Sequence, residues 1–247
     1  MQTVKTSELV RYLSDLLRLK EFKDFTSNGI QVEGADTVQK VGFAVDACQE
    51  SFEALKDCQM ICVHHGMMWP SWEKVEGVNR KRLKFLLDHN INLFVSHLPL
   101  DRHPQLGNNA QILSALGWEK TGEFGEVGWL CDLETPISKE EAKARLGQLF
   151  PETLGEFWNG TDKIRRIGVC SGGGGGSYLH EALVHHLDLY ITGETTYSIH
   201  HDSREYGLNA VCVGHYNSET FGVQALRRQI EAVYGLETVF ADVPTGL

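Results

Sequence analysis

The sequence predicts an α/β fold made of two interlocked α/β lobes, with largely parallel or mixed sheets and helices packed on the outside. Apolar runs of strand length alternate with amphipathic runs of helical period, which is the pattern of βαβ units. Glycine-containing, strand-like pieces at residues 118–135 interrupt this alternation and predict antiparallel strands at a lobe boundary. We therefore expect lobes over residues 1–125 and 126–247 that form one compact unit.

The first lobe opens with a helix over residues 6–19. Thr6 can cap it, and four leucines fall on one face at helical spacing: Leu9, Leu13, Leu16 and Leu17. The strand KVGFAVDA then ends at Asp46, where a carboxylate can support a site or cap the next helix, ESFEALKD. The remaining elements, in chain order, are the strand MICV, the helix RKRLKFLLDH, the strand INLFVSH and the helix AQILSALG.

The second lobe contains a capping box, Ser138 followed by Glu141, which opens the helix SKEEAKARLGQLF. Strands and helices then alternate again as KIRRIGVCS, SYLHEALVHH, LYITGE, TTYSIHHDSREYG, NAVCVGH, SETFGVQALRRQIEAVYG and ETVFADV. A run of five glycines separates the first two of these segments. Its backbone amides could cradle an anion, but it lacks GxGxxG spacing, so a close-packed turn explains it equally well.

Composition and net charge limit the kinds of function and ligand that we expect for this protein. The 247 residues are 42% hydrophobic and 23% charged, as in a soluble globular protein. The formal net charge is −10 and no Lys/Arg-rich block occurs, which disfavours nucleic acid as a main ligand. The N-terminus lacks a signal-peptide core and no apolar run has membrane-spanning length, so we expect a cytoplasmic protein with no membrane partner. Six cysteines without CxxC spacing predict buried reduced thiols, and no cysteine chemistry.

Four apolar runs end in polar residues that can carry chemistry. In parallel sheets the ligand site lies beyond the carboxyl ends of the strands, so these ends are expected to converge. The residues at the ends are His64-His65, His97, Gly193-Glu194 and Gly214-His215. The alternative is that these are unrelated polar residues at four strand ends. For a single histidine we would favour that alternative, but the four strand ends taken together favour a shared site.

The spacing within these motifs favours a pair of metal ions. Adjacent side chains on a strand point to opposite faces, but beyond its end His64 and His65 can each serve one ion of a pair about 3.5–4 Å apart. Pro99 argues against a regular helix in HLPLD, so His97 and Asp101 are expected to reach the site from a loop that turns back over the strand end.

In GHYNSE, Ser218 or Asn217 is expected to cap a helix whose first turn holds His215 and Glu219. Glu219 is the candidate bridge between two ions. The expected ligands are nitrogen and oxygen donors, which suit zinc, manganese, iron or magnesium. They are His64, His65, Asp101, His215 and Glu219.

Seven short motifs are spread along the chain: NGIQVEG, VHHG, HLPLD, LGNNAQ, SGGG, ITGE and GHYNSE. Together they resemble the YbgI family, bacterial relatives of the yeast NGG-interacting factor that are often labelled GTP cyclohydrolase 1 type 2 homologues. The resemblance covers nearly the whole chain. This sequence departs from the family pattern in its five consecutive glycines and in HLPLD, where many relatives have HTNLD.

The resemblance implies two divalent metal ions per subunit and a toroidal homohexamer. Carried over by position, His64, Asp101 and Glu219 would bind one ion. His65, His215 and Glu219 would bind the other. His97 resembles a site residue of the family whose direct coordination is less secure.

Two functions remain open at this stage. The first is a metal-dependent hydrolase of a small molecule such as a nucleotide, in which His97, Glu194 or His200 moves protons. The family label suggests opening of the guanine imidazole ring of GTP, whereas the ligand set would serve other hydrolyses equally well. The second is a non-enzymatic hexameric scaffold or regulatory protein that binds metal.

Overall fold

The computed structural model describes residues 2–247 and confirms the mixed α/β fold. The strands are β1 (Val4–Lys5), β2 (Gly29–Val32), β3 (Thr37–Val38), β4 (Lys40–Asp46), β5 (Met60–His65), β6 (Asn92–Val95), β7 (Gly122–Phe124), β8 (Gly128–Ser138), β9 (Gly155–Trp158), β10 (Lys163–Cys170), β11 (Leu189–Thr192), β12 (Asn209–Cys212) and β13 (Glu237–Phe240). The helices are α1 (Thr6–Leu16), α2 (Gln49–Ala54), α3 (Gly77–Asp88), α4 (Leu98–Arg102), α5 (Asn108–Ala115), α6 (Lys139–Leu149), α7 (Leu179–Val184), α8 (Ile199–Tyr206) and α9 (His215–Tyr234). Short 3-10 turns occupy Leu19–Glu21 and Gly172–Gly174.

Contacts divide the chain into two compact units. The first unit runs to Leu100 and also takes up Gly222–Val243; the second comprises Asp101–Phe221 and Pro244–Leu247. The boundary expected between residues 125 and 126 lies inside the second unit, in the turn between β7 and β8. These two strands pair as an antiparallel hairpin, which keeps both in one sheet.

The first unit is built on a five-stranded sheet in the order β13-β4-β5-β6-β2. Strands β13, β4, β5 and β6 are parallel to one another, and β2 runs antiparallel at one edge. Parallel strands are covered on both faces, which explains why β4, β5 and β6 read as continuous apolar runs. Their buried side chains pack with Phe52 of α2, Leu55 directly after α2 and Leu86 of α3.

The second unit has a six-stranded sheet in the order β7-β8-β10-β11-β12-β9. Strands β10, β11 and β12 are parallel, while β8 and β9 flank them antiparallel. Helices α5 and α6 cover a core that includes Ile112, Leu146 and Ile167. The antiparallel pieces expected at residues 118–135 are therefore confirmed as β7 and the start of β8.

The two units repeat one strand order. The series β4-β5-β6 with antiparallel β2 in the first unit corresponds to β10-β11-β12 with antiparallel β9 in the second. After the third parallel strand, each series carries a histidine followed four residues later by a carboxylate. These pairs are His97 with Asp101 and His215 with Glu219.

Three of the helix starts that differ from the sequence-based expectation concern caps or the candidate site. Thr6 is the first helical residue rather than the cap, and its hydroxyl donates to the Ala35 carbonyl. HLPLD forms α4, contrary to the expected loop, because proline is tolerated in the first turn of a helix, where its missing N–H has no helical partner. Helix α9 begins at His215, so Ser218 lies inside it and caps nothing.

The expected cap at Ser138 is confirmed, since its hydroxyl accepts the backbone N–H of Glu141. Among residues 2–247, no helix combines the length and apolarity that crossing a membrane requires.

Asn92 ties the start of β6 to two neighbouring segments. It is buried; its Oδ1 accepts the Gly34 N–H, and its Nδ2 donates to the carbonyls of Ala35 and Gln59. Asn209 makes the same three kinds of hydrogen bond at the start of β12 in the second unit. Both asparagines thus satisfy backbone groups that the sheets leave unpaired.

We expect Asn92→Ala to lower the free energy of unfolding by about 2–4 kcal/mol, because three buried hydrogen bonds lose one partner. Urea unfolding followed by circular dichroism measures this change. The exposed Gln39→Ala serves as the control and should shift stability by less than about 0.5 kcal/mol. Equal midpoints for the two variants would contradict the assigned role.

The six cysteines form no disulfide and most of them are buried, as expected from the sequence. All six cysteines are free, and five of them are buried. Burial raises the pKa of Cys58 to about 12 and the pKa values of Cys131 and Cys212 to about 11. Burial also raises the pKa values of Cys62 and Cys170. Few of these thiols are thiolates near neutral pH, so they make poor nucleophiles.

Ellman's reagent at pH 8 should therefore modify at most about one thiol per native chain. The half-buried Cys48 is the expected site, and Cys48→Ser should abolish the reaction. In denaturant all six thiols should react. Rapid native modification of several thiols would show that burial does not protect them.

Candidate metal centre

Three histidines of the first unit gather at the carboxyl ends of β5 and β6. His64 and His65 are the last residues of β5, and His97 follows β6 by two residues. One ring nitrogen of each lies within 4.8 Å of a ring nitrogen of the other two. The ring centroids of His64 and His65 are 4.7 Å apart, and those of His64 and His97 are 5.2 Å apart. The two adjacent imidazoles are thus close neighbours, although both still belong to the strand.

Each of these rings is held through Nδ1. The Nδ1–H of His64 donates to the Ser96 carbonyl at 3.0 Å, and that of His65 donates to Asp46 at 2.8 Å. His97 Nδ1 lies 2.8 Å from Asp24 Oδ1. An imidazole that donates from Nδ1 presents Nε2 as its ligand nitrogen. Asp46 therefore acts as the support of a site histidine, one of the two roles expected from the sequence.

Asp24 is a site residue that the sequence alone did not reveal. Its side chain is only 2% exposed. Burial raises its pKa, but hydrogen bonds from His97 and Asn28 outweigh this effect and lower the pKa to about 2. Asp24 also accepts the backbone N–H of Leu98 at 3.0 Å. It is therefore an anion that fixes both the His97 ring and the start of α4.

Gln31 holds the loop that follows His65. Its Oε1 accepts the backbone N–H groups of Met67 and Met68, and its Nε2 donates to the Ser27 carbonyl. A Cβ on Gly66 would lie 2.6 Å from Gln31 Nε2, so only glycine fits there. The motifs NGIQVEG and VHHG therefore pack against each other.

The second unit carries a cluster of different chemistry, made of His215, Glu219 and Asp101. His215 and Glu219 are one turn apart on α9, with Nε2 and Oε2 separated by 3.1 Å. Carboxylate oxygens of Asp101 and Glu219 lie within 4.8 Å of each other. Both carboxylates are buried, at 4% and 2% exposure. Buried carboxylates this close repel each other unless a proton or a cation offsets their charge.

Neutral donors orient Asp101. Its Oδ1 accepts hydrogen bonds from Asn108 Nδ2 at 2.8 Å and Ser171 Oγ at 2.9 Å. Asn109 in turn accepts the Ser171 N–H at 2.6 Å. The motifs LGNNAQ and SGGG thus support this carboxylate. Both motifs are visible in the sequence, but their contact with Asp101 is not.

Glu194 orients His215 in the way that Asp46 orients His65. Glu194 Oε1 accepts from His215 Nδ1 at 2.7 Å, which presents Nε2 toward Glu219. Because the half-exposed Glu194 carboxylate is already engaged by the ring, its geometry suits a positioning role. The catalytic role predicted for Glu194 stays a prediction.

His200 lies apart from these contacts, as an exposed residue in the first turn of α8. Its ring packs near those of Phe157 and His201. Its catalytic role likewise stays a prediction.

The donor sets fit divalent metal ions. Imidazole nitrogens and carboxylate oxygens are the ligands preferred by zinc, manganese and iron(II). A hydrogen-bond acceptor behind each ligating histidine is also a common feature of metal sites. His64, His65, His97 and His215 all have one, in three cases a carboxylate.

The glycine run closes over the second cluster. Gly172 has φ +63°, donates its N–H to Ser218 Oγ and accepts the Glu194 N–H. A Cβ on Gly172 would overlap the Glu219 carboxylate, whereas a Cβ on Gly173 would meet neighbours only at 3.8 Å or more. This contact favours the close-packed turn over the anion cradle.

Gly172→Ala should therefore displace Glu219 and weaken metal binding, while Gly173→Ala, its neighbour in the same turn, should bind metal as the wild type does. Zinc titration measures affinity, and thermal unfolding in EDTA checks each fold. The positive φ alone adds about 1–2 kcal/mol of strain in the alanine variant. Equal zinc affinity in the two variants would show that Glu219 is not constrained by this glycine.

Comparison with known proteins agrees with this architecture. Residues 4–245 match the family described as Duf34/NIF3 (NGG1p interacting factor 3). An Archaeoglobus fulgidus protein named GTP cyclohydrolase 1 type 2 homolog is 40% identical over 248 residues, covering 98% of this chain and 99% of that protein. The solved structure of protein ybgI, described as of unknown function, has a TM-score of 0.89 at 33% identity and covers 99% of this chain and 100% of its own.

The crystal structure of TTHA1606 from Thermus thermophilus gives a TM-score of 0.88 at 38% identity, with 99% of this chain and 100% of that chain covered. The family match and these full-length similarities extend over both sheets and both clusters. The chain therefore belongs to the DUF34/NIF3 family.

Proposed function

We propose that this protein is a hydrolase that depends on two divalent metal ions per chain. In this proposal His64, Asp101 and Glu219 bind one ion, and His65, His215 and Glu219 bind the other. The observation that carries it is the uniform orientation of the three histidines, each of which has Nδ1 hydrogen-bonded to an oxygen and so presents Nε2 as a ligand. A histidine that only lies on a polar surface does not need its ring orientation fixed in this way.

Each residue has a defined task in the proposed site. A pair of divalent ions supplies Lewis acidity, polarising a substrate oxygen and making water a stronger nucleophile. Asp46 and Glu194 hold His65 and His215 in the ligating tautomer, and Asn108 and Ser171 set the carboxylate plane of Asp101. His97 is the proposed proton carrier, because its ring reaches the same cluster while Asp24 fixes its orientation.

A small-molecule substrate is the better-supported partner. Relatives are named GTP cyclohydrolase 1 type 2 homolog, and hydrolytic opening of a nucleotide ring is the reaction that this name suggests. The net charge of −10 gives no general attraction for a polyanion such as DNA. The proposed assembly is the toroidal homohexamer that the family resemblance implies, and the proposed location is the cytoplasm.

Elemental analysis and a hydrolysis screen test this function together. Wild type should carry about two metal ions per chain and hydrolyse one of GTP, cyclic nucleotides or generic phosphodiesters. Glu219→Gln should lose metal and activity, because it removes the charge of the proposed bridging ligand. The exposed Glu134→Gln is the matched control and should change neither property.

Two results would contradict the proposal in different ways. Failure to take up zinc, manganese or iron after reloading would refute the metal site itself. Full metal occupancy without turnover of any substrate class would refute the hydrolase and favour a metal-binding scaffold.

A further inference from the structure

Trp69 is a large aromatic residue beside the histidines of the first unit, and the proposed function gives it no task. It stands four residues after His65, in the loop that follows β5, and it is half-buried. Its ring centroid lies 5.1 Å from that of His97 and 6.3 Å from that of His65. The indole therefore borders the place where a substrate of the proposed hydrolase would bind.

The two imidazoles touch the indole without stacking on it. The ring planes of Trp69 and His97 make an angle of 77°, and those of Trp69 and His65 make an angle of 46°. Contacts of this kind are favourable for aromatic rings, and they fix the tilt of the indole. Neither imidazole takes up the stacking position on an indole face, so the half-buried ring can offer a face to a flat ligand.

The polar edge of the indole is already engaged. Its Nε1–H donates to the Gly66 carbonyl at 2.8 Å, so the ring needs no hydrogen bond from a ligand. The interaction that remains is through the π face. Stacking of a nucleic-acid base on a tryptophan uses this face alone, because every base has a π face of its own.

The loop that carries Trp69 is held by hydrogen bonds on both sides of it. The Met68 N–H donates to Gln31 Oε1 at 3.0 Å, and the Met68 carbonyl accepts from Thr26 Oγ1 at 2.8 Å. The Trp69 carbonyl accepts the Trp72 N–H at 2.8 Å. A ring on such a fixed loop loses little conformational entropy when a ligand stacks on it, which favours binding.

We propose that Trp69 recognises the base of a nucleotide substrate by stacking its indole against the base. The inference rests on the proposed function for the existence of a small-molecule substrate. It narrows that substrate to molecules with a planar heteroaromatic ring, and ring-free phosphodiesters fall outside this class. A purine fits best, because its two fused rings match the two fused rings of indole in stacking area.

Binding of guanosine monophosphate (GMP) and of ribose 5-phosphate tests the stacking contact, because only GMP carries a base. Calorimetry on the full-length protein with added zinc should show tighter binding of GMP. Trp69→Leu should weaken GMP binding by about 5–150-fold, the usual cost of removing a stacked aromatic ring, and should leave ribose 5-phosphate binding unchanged. Trp69→Phe should keep most of the preference for GMP, since a phenyl ring still stacks.

Trp72→Phe is the matched control. Trp72 lies in the same loop but packs against the core of the first unit, so this variant should bind GMP as the wild type does. GMP should also quench tryptophan fluorescence, and the quenching should be lost in Trp69→Phe and kept in Trp72→Phe. This comparison decides the question if Trp69→Leu fails to fold, as judged by circular dichroism.

A zinc titration separates recognition from shielding. Trp69→Leu should bind zinc as the wild type does. An indole that only shields the histidines from water would instead change zinc affinity and leave the preference for GMP over ribose 5-phosphate intact, which would contradict the proposal.

Equal affinity of the wild type for the two probes, or binding of neither, would overturn the inference, and so would unchanged GMP affinity in folded Trp69→Leu. Hydrolysis of a ring-free phosphodiester with equal kcat/KM in wild type and Trp69→Leu would overturn it and leave the hydrolase standing. Conversely, a Trp69-dependent preference for GMP in a protein that hydrolyses nothing would support base recognition while refuting the hydrolase.

Discussion

The hydrogen bonds to histidine Nδ1 are the interactions on which both clusters depend. A neutral imidazole has one donor and one acceptor nitrogen, so fixing the donor also fixes which atom can bind a metal. Ser96, Asp46 and Glu194 accept these hydrogen bonds for three rings, and each acceptor lies at the end of a different strand or within two residues of it. The sheets therefore determine the direction of the ligand atoms as well as their position.

The two clusters differ in the charge that they must accommodate. The first is made of imidazoles whose supporting carboxylates, Asp24 and Asp46, lie behind the rings. The second places the buried carboxylates of Asp101 and Glu219 among the groups that could hold an ion. Isolated buried carboxylates are costly, and neutral donors such as Ser171 reduce this cost without removing the negative charge. The negative charge of the second cluster therefore favours a cation electrostatically. In the first cluster, the preference of transition metals for imidazole nitrogen favours a cation instead.

Much of this arrangement could be predicted because strand ends are visible in a sequence. The apolar runs of β5 and β6 locate His64 and His97, and that of β12 locates His215. Within each sheet, parallel pairing brings the carboxyl ends of the strands to one edge. The supporting partners could not be predicted, because Asp24 and Ser171 stand 73 and 70 residues from the groups they bind. Helix α4 was missed for a different reason: Pro99 breaks a helix interior but suits a first turn, and local sequence does not tell which applies.

The late position of β13 in the chain affects how the protein can fold during synthesis. Strand β13, near the end of the sequence, pairs with β4, which lies near its beginning. Lys40 and Glu237 form an ion pair at the first position of that register. Until residues 237–240 leave the ribosome, β4 is an edge strand of the first sheet, with unpaired backbone groups along one side. The six strands of the second sheet all lie between residues 122 and 212, so that sheet can close earlier. During synthesis, the first sheet therefore keeps an unpaired edge for longer than the second sheet does, and unpaired edges favour aggregation.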